Sequence, residues 1–320
     1  MIDGHSDYAQ KIYVEYKNGN LEELLKGYYP SLIKGGVKIV ALQVGGDFST
    51  MGYDLRDYDI VNEVFEVVLD QIHQSKEKFQ TIKSKKDLDT VLANNKIGMI
   101  FSIEGSGSID QNLVRLDELY QKGLRMLALT HNSQNIFAQG CFLPETGLDS
   151  GLSPLGKKLI AKLNQLDIIF DIVHASEKTF WNALDLIEKP PIVSHSNCKA
   201  LCDTSRNLTD EQIRAIGDQK GVIGINFIKM FLDSNPKKAT LERVIDHIDH
   251  IVNITDIKNV GLGPDFYKYL WPGLEHIPEI EEVSEMQKII PILENRGYSK
   301  EDIQKICFHN FYRVFKENLR

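Results

Sequence analysis

The sequence is poor in cysteine, has no long apolar run and carries no surplus of positive charge. Its four cysteines, at 141, 198, 202 and 307, form no C-x-x-C pair. Cys198 and Cys202 stand four apart with no second pair to complete a structural zinc site. The pattern reads as reduced cytosolic thiols, not a disulfide framework. No stretch of about 18 apolar residues occurs, so no membrane span is expected. No charged-then-apolar leader precedes the first expected strand, and cytoplasmic placement follows as the expectation. Lys and Arg number 37 against 45 Asp and Glu, a formal net charge of −8. That balance argues against nucleic acid or an anionic membrane as partner. Neither G-x-G-x-x-G nor G-x-x-x-x-G-K-[ST] occurs, which removes the usual support for nucleotide binding. Ser194 and Ser196 flank His195 without a G-x-S-x-G elbow, which disfavours a serine nucleophile.

What is present is an ordinary globular composition, 42% hydrophobic and 26% charged, with ample chain for a large core. Apolar, β-branched runs are expected as strands at 2–7, 37–44, 96–104, 125–131, 168–174, 192–195, 221–227 and 259–265. Helical spacing follows each of them. The helices are expected at 8–25 (interrupted at 18–20), 59–79 with 86–94, 113–122, 154–166, 176–188, 209–219 and 241–252. Two more, at 283–296 and 300–319, close the chain. Ser153 before Pro154 suits a helix start, and Thr209-Asp-Glu-Gln212 has capping-box spacing. A polar loop over 132–153 is longer than most connections and suggests function or mobility. Near-continuous apolar strands joined by helices imply a parallel sheet. Eight of them predict an α/β fold, a (β/α)8 TIM barrel in a single domain over residues 1–320, with extra C-terminal helices. An open doubly wound sheet is the competing fold.

In such barrels the active site lies at the carboxyl ends of the strands. His5 and Asp7 sit on the first expected strand, Glu104 ends the third, and His131, His174 and His195 end the fourth, fifth and sixth. Asp265 ends the eighth. Along a strand, alternate side chains share a face, so His5 and Asp7 can grip one ion. So many imidazoles and carboxylates at one mouth would be costly unless a cation offset their charge and desolvation. The set suits two metals about 3.5–4 Å apart with a bridging carboxylate and a shared activated water. Glu104 is the natural bridge, with His5 and Asp7 on one metal and His174 and His195 on the other. Nitrogen-rich, thiolate-free ligation points to zinc first, with manganese or iron as alternatives. His131 is left to stabilise an oxyanion, and Asp265 to carry a proton from attacking water to leaving nitrogen.

Other groups have blander readings. His247 and His250 are expected on the solvated face of a helix, Cys198 and Cys202 as structural thiols, and Phe308, Phe311, Tyr312 and Phe315 as terminal-helix packing.

The motifs Asp3-Gly4-His5-Ser6-Asp7, Ser102-Ile103-Glu104-Gly105, Leu129-Thr130-His131-Asn132 and Asp171-Ile172-Val173-His174 resemble those of the renal (membrane) dipeptidase family. So do Gly151-Leu152-Ser153-Pro154-Leu155-Gly156-Lys157, Ser194-His195-Ser196, Ser205-Arg206-Asn207-Leu208-Thr209-Asp210 and Val260-Gly261-Leu262-Gly263-Pro264-Asp265. The resemblance covers nearly the whole chain in order. It implies a metal-dependent dipeptidase on a (β/α)8 barrel with a binuclear zinc centre, cleaving dipeptides by a hydroxide that bridges two metals. It further implies tolerance of a D-residue at the carboxyl side.

By resemblance, His5, Asp7, Glu104, His174 and His195 are metal ligands, with Glu104 bridging. His131 contacts substrate, Arg206 binds the terminal carboxylate, and Asp265 handles the proton and the amino end. The family also includes homodimers and secreted or membrane-anchored members, whereas no anchor or signal is read here. The chain departs from the family at Phe266-Tyr267-Lys268, where Phe-Asp-Gly is common. It departs again at Gln43-Val44-Gly45, where bulky aromatics are usual, and at Phe308-His309-Asn310, where Gly-Gly-Asn is found. Two alternatives stay open: a related amidohydrolase acting on another small amide, lactone or N-acyl amino acid, and a metal-binding protein without activity.

Overall fold

The computed structural model of the chain describes residues 1–270, 273 and 275–320. Eight strands form the wall of a barrel: β1 (Ile2–Ser6), β2 (Ile39–Gly46), β3 (Ile97–Glu104), β4 (Leu124–Ala128), β5 (Ile169–Asp171), β6 (Ile192–Val193), β7 (Val222–Ile225) and β8 (Val260–Leu262). They neighbour one another in chain order, and every paired neighbour is parallel. β8 returns to β1, where a methyl group added at Gly4 would stand 3.0 Å from the Leu262 carbonyl oxygen. No ladder pair joins β8 to β1 among the described residues. The architecture is the expected (β/α)8 barrel, with the helices Ile289–Asn295, Lys300–Gln304 and Asn310–Asn318 added at the end.

The helices form where apolar spacing and caps agree. Tyr58–Gln74 buries Val61, Val64, Phe65, Val68 and Ile72, and the Asp57 side chain caps it by accepting from the Asp59 amide. Pro154–Leu166 starts at Ser153, whose hydroxyl accepts from the Gly156 amide. The capping box ahead of Asp210–Asp218 is present, with Thr209 Oγ1 and Gln212 Oε1 accepting from each other's amides at 3.3 and 2.9 Å.

Apolar packing divides into layers. The larger core lies between the strands and the surrounding helices. A second cluster joins Ile2, Ile39, Ile100, Met126, Ile169, Ile192 and Val222 to Phe311, Val314 and Phe315 of the closing helix and to Leu319 just after it. Phe311 reaches so close to the strands that a Cβ at Gly4 or Gly261 would stand 2.5 Å from its ring. Those two glycines are what admit it. The expected terminal-helix packing thus plugs the end of the barrel where the strands begin.

Three differences from the sequence expectation have physical causes. The hydrogen-bonded strands stop short of 131, 174, 195 and 265. His174 and Asp265 adopt φ of +60° and +61°, a conformation that ends a ladder and costs a non-glycine residue energy. A short hairpin (Ser49–Thr50 with Tyr53–Asp54) follows β2, and Phe79–Thr81 pairs with β3; both are too brief for periodicity to register. His247 is fully buried, not solvated. It lies in line with Val244, Ile248 and Ile251 on the inward face of Leu241–Ile254. Its Nδ1 accepts from the Cys198 amide at 3.0 Å and its Nε2 lies 2.9 Å from the Leu232 carbonyl oxygen. His250 is half-buried and contacts Asp210. The thiols of Cys198 and Cys202 are buried against backbone carbonyls, the structural role expected of them.

The 132–153 segment is pinned by backbone bonds, among them Cys141 N to His174 O at 2.8 Å and Ser153 N to Phe137 O at 2.9 Å.

Candidate metal centre

The carboxyl end of the barrel gathers the candidate residues. His5 lies within β1 and Asp7 just after it, Glu104 is the last residue of β3, and His174, His195 and Asp265 follow β5, β6 and β8 within three residues. The left-handed backbone at His174 and Asp265 turns each side chain inward as its strand ends. All six side chains are buried. Asp171, itself buried, supports two of the turns by accepting from the amides of Val173 (3.2 Å) and Ser194 (3.0 Å).

Three overlapping groups of possible ligand atoms result: Glu104 with His174 and His195, His5 with Asp7 and Glu104, and His5 with His195 and Asp265. In the first, His174 Nε2 and His195 Nε2 are 3.1 Å apart and lie 2.7 and 3.2 Å from Glu104 Oε1. In the second, His5 Nε2 stands 3.6 Å from Asp7 Oδ2 and 3.7 Å from Glu104 Oε1. In the third, His5 Nε2 lies 3.7 Å from Asp265 Oδ1, and His195 Nε2 lies 3.9 Å from Asp265 Oδ2. Asp265, expected to handle the proton and the substrate's amino end, therefore also stands within reach of a cation.

The hydrogen bonds on the far sides of the rings test whether this set suits a metal. His174 Nδ1 lies 2.9 Å from Asn132 Oδ1, an acceptor, so the proton sits on Nδ1 and Nε2 carries a lone pair. His195 Nδ1 lies 2.9 Å from the Ser194 hydroxyl, which can accept in the same way. Two imidazole lone pairs and a carboxylate oxygen then face one another, an arrangement that a cation satisfies. A tetrahedral ion with bonds of about 2.0–2.1 Å would separate its ligands by about 3.3 Å, close to the spacing found. His5 Nδ1 lies 3.1 Å from the Gln43 amide nitrogen. With that amide turned over, Gln43 Oε1 would accept the Nδ1 proton; among the described residues it otherwise has no hydrogen-bond partner, and neither do the buried His5 Nε2 and Asp7 Oδ1. Unpartnered buried atoms of this kind, aimed at one spot, fit a metal centre.

Electrostatics agree. Burial alone would lower His5, but the Glu104, Asp7 and Asp265 carboxylates outweigh it and raise the imidazole to about 10. Positive charge is thus strongly favoured at that point, as a metal would supply it. Burial drives the Glu104 carboxyl well above its ordinary value and drives His174 and His195 well below theirs, helped by the Arg206 charge. Burial raises Asp265 to about 6, with the His5 charge opposing. Asp265 Oδ2 accepts from Asn226 Nδ2 at 3.0 Å.

A cavity of about 320 Å³ opens onto these groups, lined also by Phe48, His131, Asn132, Arg206, Ile228, Phe231 and Tyr267. Burial, then the Arg206 charge, lowers His131 to about 3, so it is neutral and keeps one N–H to donate. Arg206 is buried, its guanidinium 5.4 Å from the Phe231 ring centroid. A second cavity of about 280 Å³ shares His174 and Arg206 and reaches Cys141 and Leu143 of the long loop. Only His131 and Asn132 at or next to the start of that loop line the larger one. The imidazole partners Gln43, Asn132 and Ser194 went unread in the sequence. Asn132 and Ser194 at least adjoin a candidate histidine, whereas Gln43 is brought to His5 only by the pairing of β1 with β2.

The family model described as membrane dipeptidase, peptidase family M19, matches residues 1–319. The chain belongs to this family. An uncharacterized dipeptidase of Schizosaccharomyces pombe is 33% identical over 224 residues, 69% of this chain and 53% of that protein. An uncharacterized protein of Klebsiella pneumoniae is 31% identical over 266 residues, 81% of this chain and 96% of that one. A metallopeptidase from Rhodobacter sphaeroides, liganded with a phosphinate mimic of the dipeptide L-Ala-D-Ala, superposes with a TM-score of 0.85. That match has 23% identity and covers 99% of this chain and 98% of that one, showing the shared fold.

Among the departures from the membrane dipeptidase motifs, Tyr267 lines the metal cavity and Lys268 pairs with Glu281 at 2.5 Å. Asn310 Nδ2 bonds the carbonyls of Ile257 and Val260, both at 2.7 Å. No helix of the described residues is long and apolar enough to cross a membrane.

Proposed function

We propose that the chain hydrolyses the peptide bond of dipeptides with two divalent metal ions, zinc first, held by His5, Asp7, Glu104, His174 and His195. The observation that carries this is the convergence of the His174, His195 and His5 imidazoles on Glu104 Oε1, with Asp7 beside His5. A metal pair bound there supplies an activated water and polarises the substrate carbonyl.

The chain's own residues do the rest. Arg206 presents a planar cation to the dipeptide's terminal carboxylate. His131, neutral at working pH, donates to the carbonyl oxygen as negative charge develops on it. Asp265, held by Asn226, takes the proton of the attacking water and returns it to the leaving nitrogen, with the substrate's amino end nearby. Cytoplasmic placement is part of the proposal and is supported by four buried, unpaired thiols.

The test is metal content per chain together with hydrolysis of a dipeptide panel before and after chelation. Two metals per chain and chelator-sensitive turnover are expected; full metal with no turnover of any dipeptide overturns the proposal. Arg206→Met should lower kcat/KM for a dipeptide by about 10- to 100-fold, the worth of a charged hydrogen bond. The corresponding dipeptide amide should be nearly unaffected. Equal losses on both would point instead to a substrate without a free carboxylate.

A further inference from the structure

The metal cavity has two unlike sides. Its carboxylates are Asp7, Glu104 and Asp265, and Arg206 is its one cation among the described residues. Beside Asp265 lies an apolar wall. Ile228 and Tyr267, 1% and 4% exposed, pack with Leu270, and Phe231 and Tyr269 lie against them, as a cluster separate from the main cores. The loops after β7 and β8 supply it.

This wall is tied to the chemistry. Asn226 Nδ2 donates to Asp265 Oδ2 at 3.0 Å, while its Oδ1 accepts from the Ile228 amide at 2.7 Å. One side-chain amide thus sets both the proposed proton carrier and the first residue of the wall. His276 Nε2 lies 2.7 Å from the Asp265 carbonyl oxygen, and its ring is 5.0 Å from that of Tyr267. The backbone of Ile228 bridges to that of His276. Ile228, Asp265 and Tyr267 are therefore tied together through Asn226 and His276.

We propose that Ile228 and Tyr267, with Phe231 beside them, select dipeptides whose amino-end residue carries an uncharged, apolar side chain. The inference rests on the dipeptidase reading, which places the substrate's amino end at Asp265. An apolar side chain there is covered by the wall. A lysyl or arginyl side chain finds no carboxylate free to pair with it, because Asp7 and Glu104 serve the metals and Asp265 the proton. An acidic side chain meets Asp265 and Glu104 while Arg206 is held by the terminal carboxylate. A charged group desolvated without a partner is disfavoured far more than a lost methylene.

The test is a set of dipeptides sharing carboxyl-end glycine, with leucine, methionine, lysine or glutamate at the amino end, on the metal-loaded full chain. Leucyl- and methionyl-glycine should exceed lysyl- and glutamyl-glycine by at least about tenfold in kcat/KM. Ile228→Asp should lower the leucyl-to-lysyl ratio at least about tenfold. A second variant, Tyr267→Ala, avoids burying a charge and should raise phenylalanyl- over alanyl-glycine by enlarging the cavity. Metal stoichiometry and a thermal melt establish that each variant is folded. Lysyl- or glutamyl-glycine cleaved as well as leucyl-glycine overturns this inference and leaves the dipeptidase reading intact. So does an unchanged ratio in both folded variants. Turnover of no dipeptide overturns the dipeptidase reading and this selectivity with it.

Discussion

The two ends of the barrel are made by the same eight strands and follow opposite rules. Where the strands begin, Phe311, Val314, Phe315 and Leu319 cover Ile2, Ile39, Ile100, Ile169 and Ile192 with carbon against carbon. Where they finish, His5, Glu104, His174, His195 and Asp265 bring lone pairs and buried carboxylates together. The first end is complete by itself. The second holds polar atoms that have no hydrogen-bond partner among the described residues and ionisable groups driven far from their ordinary values. Apolar packing closes one end over carbon, while unsatisfied chemistry is tolerated at the other.

That contrast predicts that damage at the two ends looks different. Glu104→Gln removes the carboxylate shared by two of the candidate ligand groups. Metal content and kcat/KM should fall together, the latter by at least about 10⁴-fold, while the melting temperature of the metal-free protein holds or rises. Retention of two metals would contradict the bridging role. At the other end, Phe311→Ala should cost about 4 kcal/mol of stability by urea unfolding, the usual penalty for emptying a packed aromatic site. Its metal stoichiometry should stay unchanged in the folded fraction.

Smaller effects sharpen the comparison. His247 is a polar residue kept neutral inside the apolar layer, its pKa lowered to about 4 by burial. The unfolded imidazole titrates near 6.5. Between those values the unfolded chain holds the extra proton, so stability is full above pH 6.5 and declines as pH falls towards 4. The loss attributable to His247 is about 3 kcal/mol over that window. Urea unfolding of wild type against His247→Gln at pH 7 and pH 4.5 should show the dependence shrink in the variant. Asn132→Ala frees His174 Nδ1 and should weaken metal binding by about 10- to 100-fold, read by competition with a chelator, with little change in the metal-free melt.

The repeating architecture was legible because fully buried parallel strands are near-continuous apolar runs, as in 37–44 and 96–104, and helical spacing separates them. The positions of His5, Asp7 and Glu104 followed from strand alternation and from a strand's end. What was hidden is instructive. Nothing in composition marks the left-handed turns at His174 and Asp265, since neither is glycine. The partnerships of Gln43 with His5 and of Asn226 with Asp265 arise only when neighbouring strands align. His247 was misread because histidine counts as polar in a periodicity, yet both its nitrogens are met by backbone groups inside the core.

His5 and Asp265 lie 260 positions apart in the sequence but 3.7 Å apart in space, across the junction of β1 and β8 that no ladder bond spans among the described residues. A cation held between His5 and Asp265 would work as a clasp on a ring. It would fasten only after the last strand has come home, and once fastened it would oppose reopening. Ring closure brings together groups distant in the chain, a slow kind of contact to form, and with such a cation it would coincide with metal loading. An ion bound there would record that the chain has finished folding.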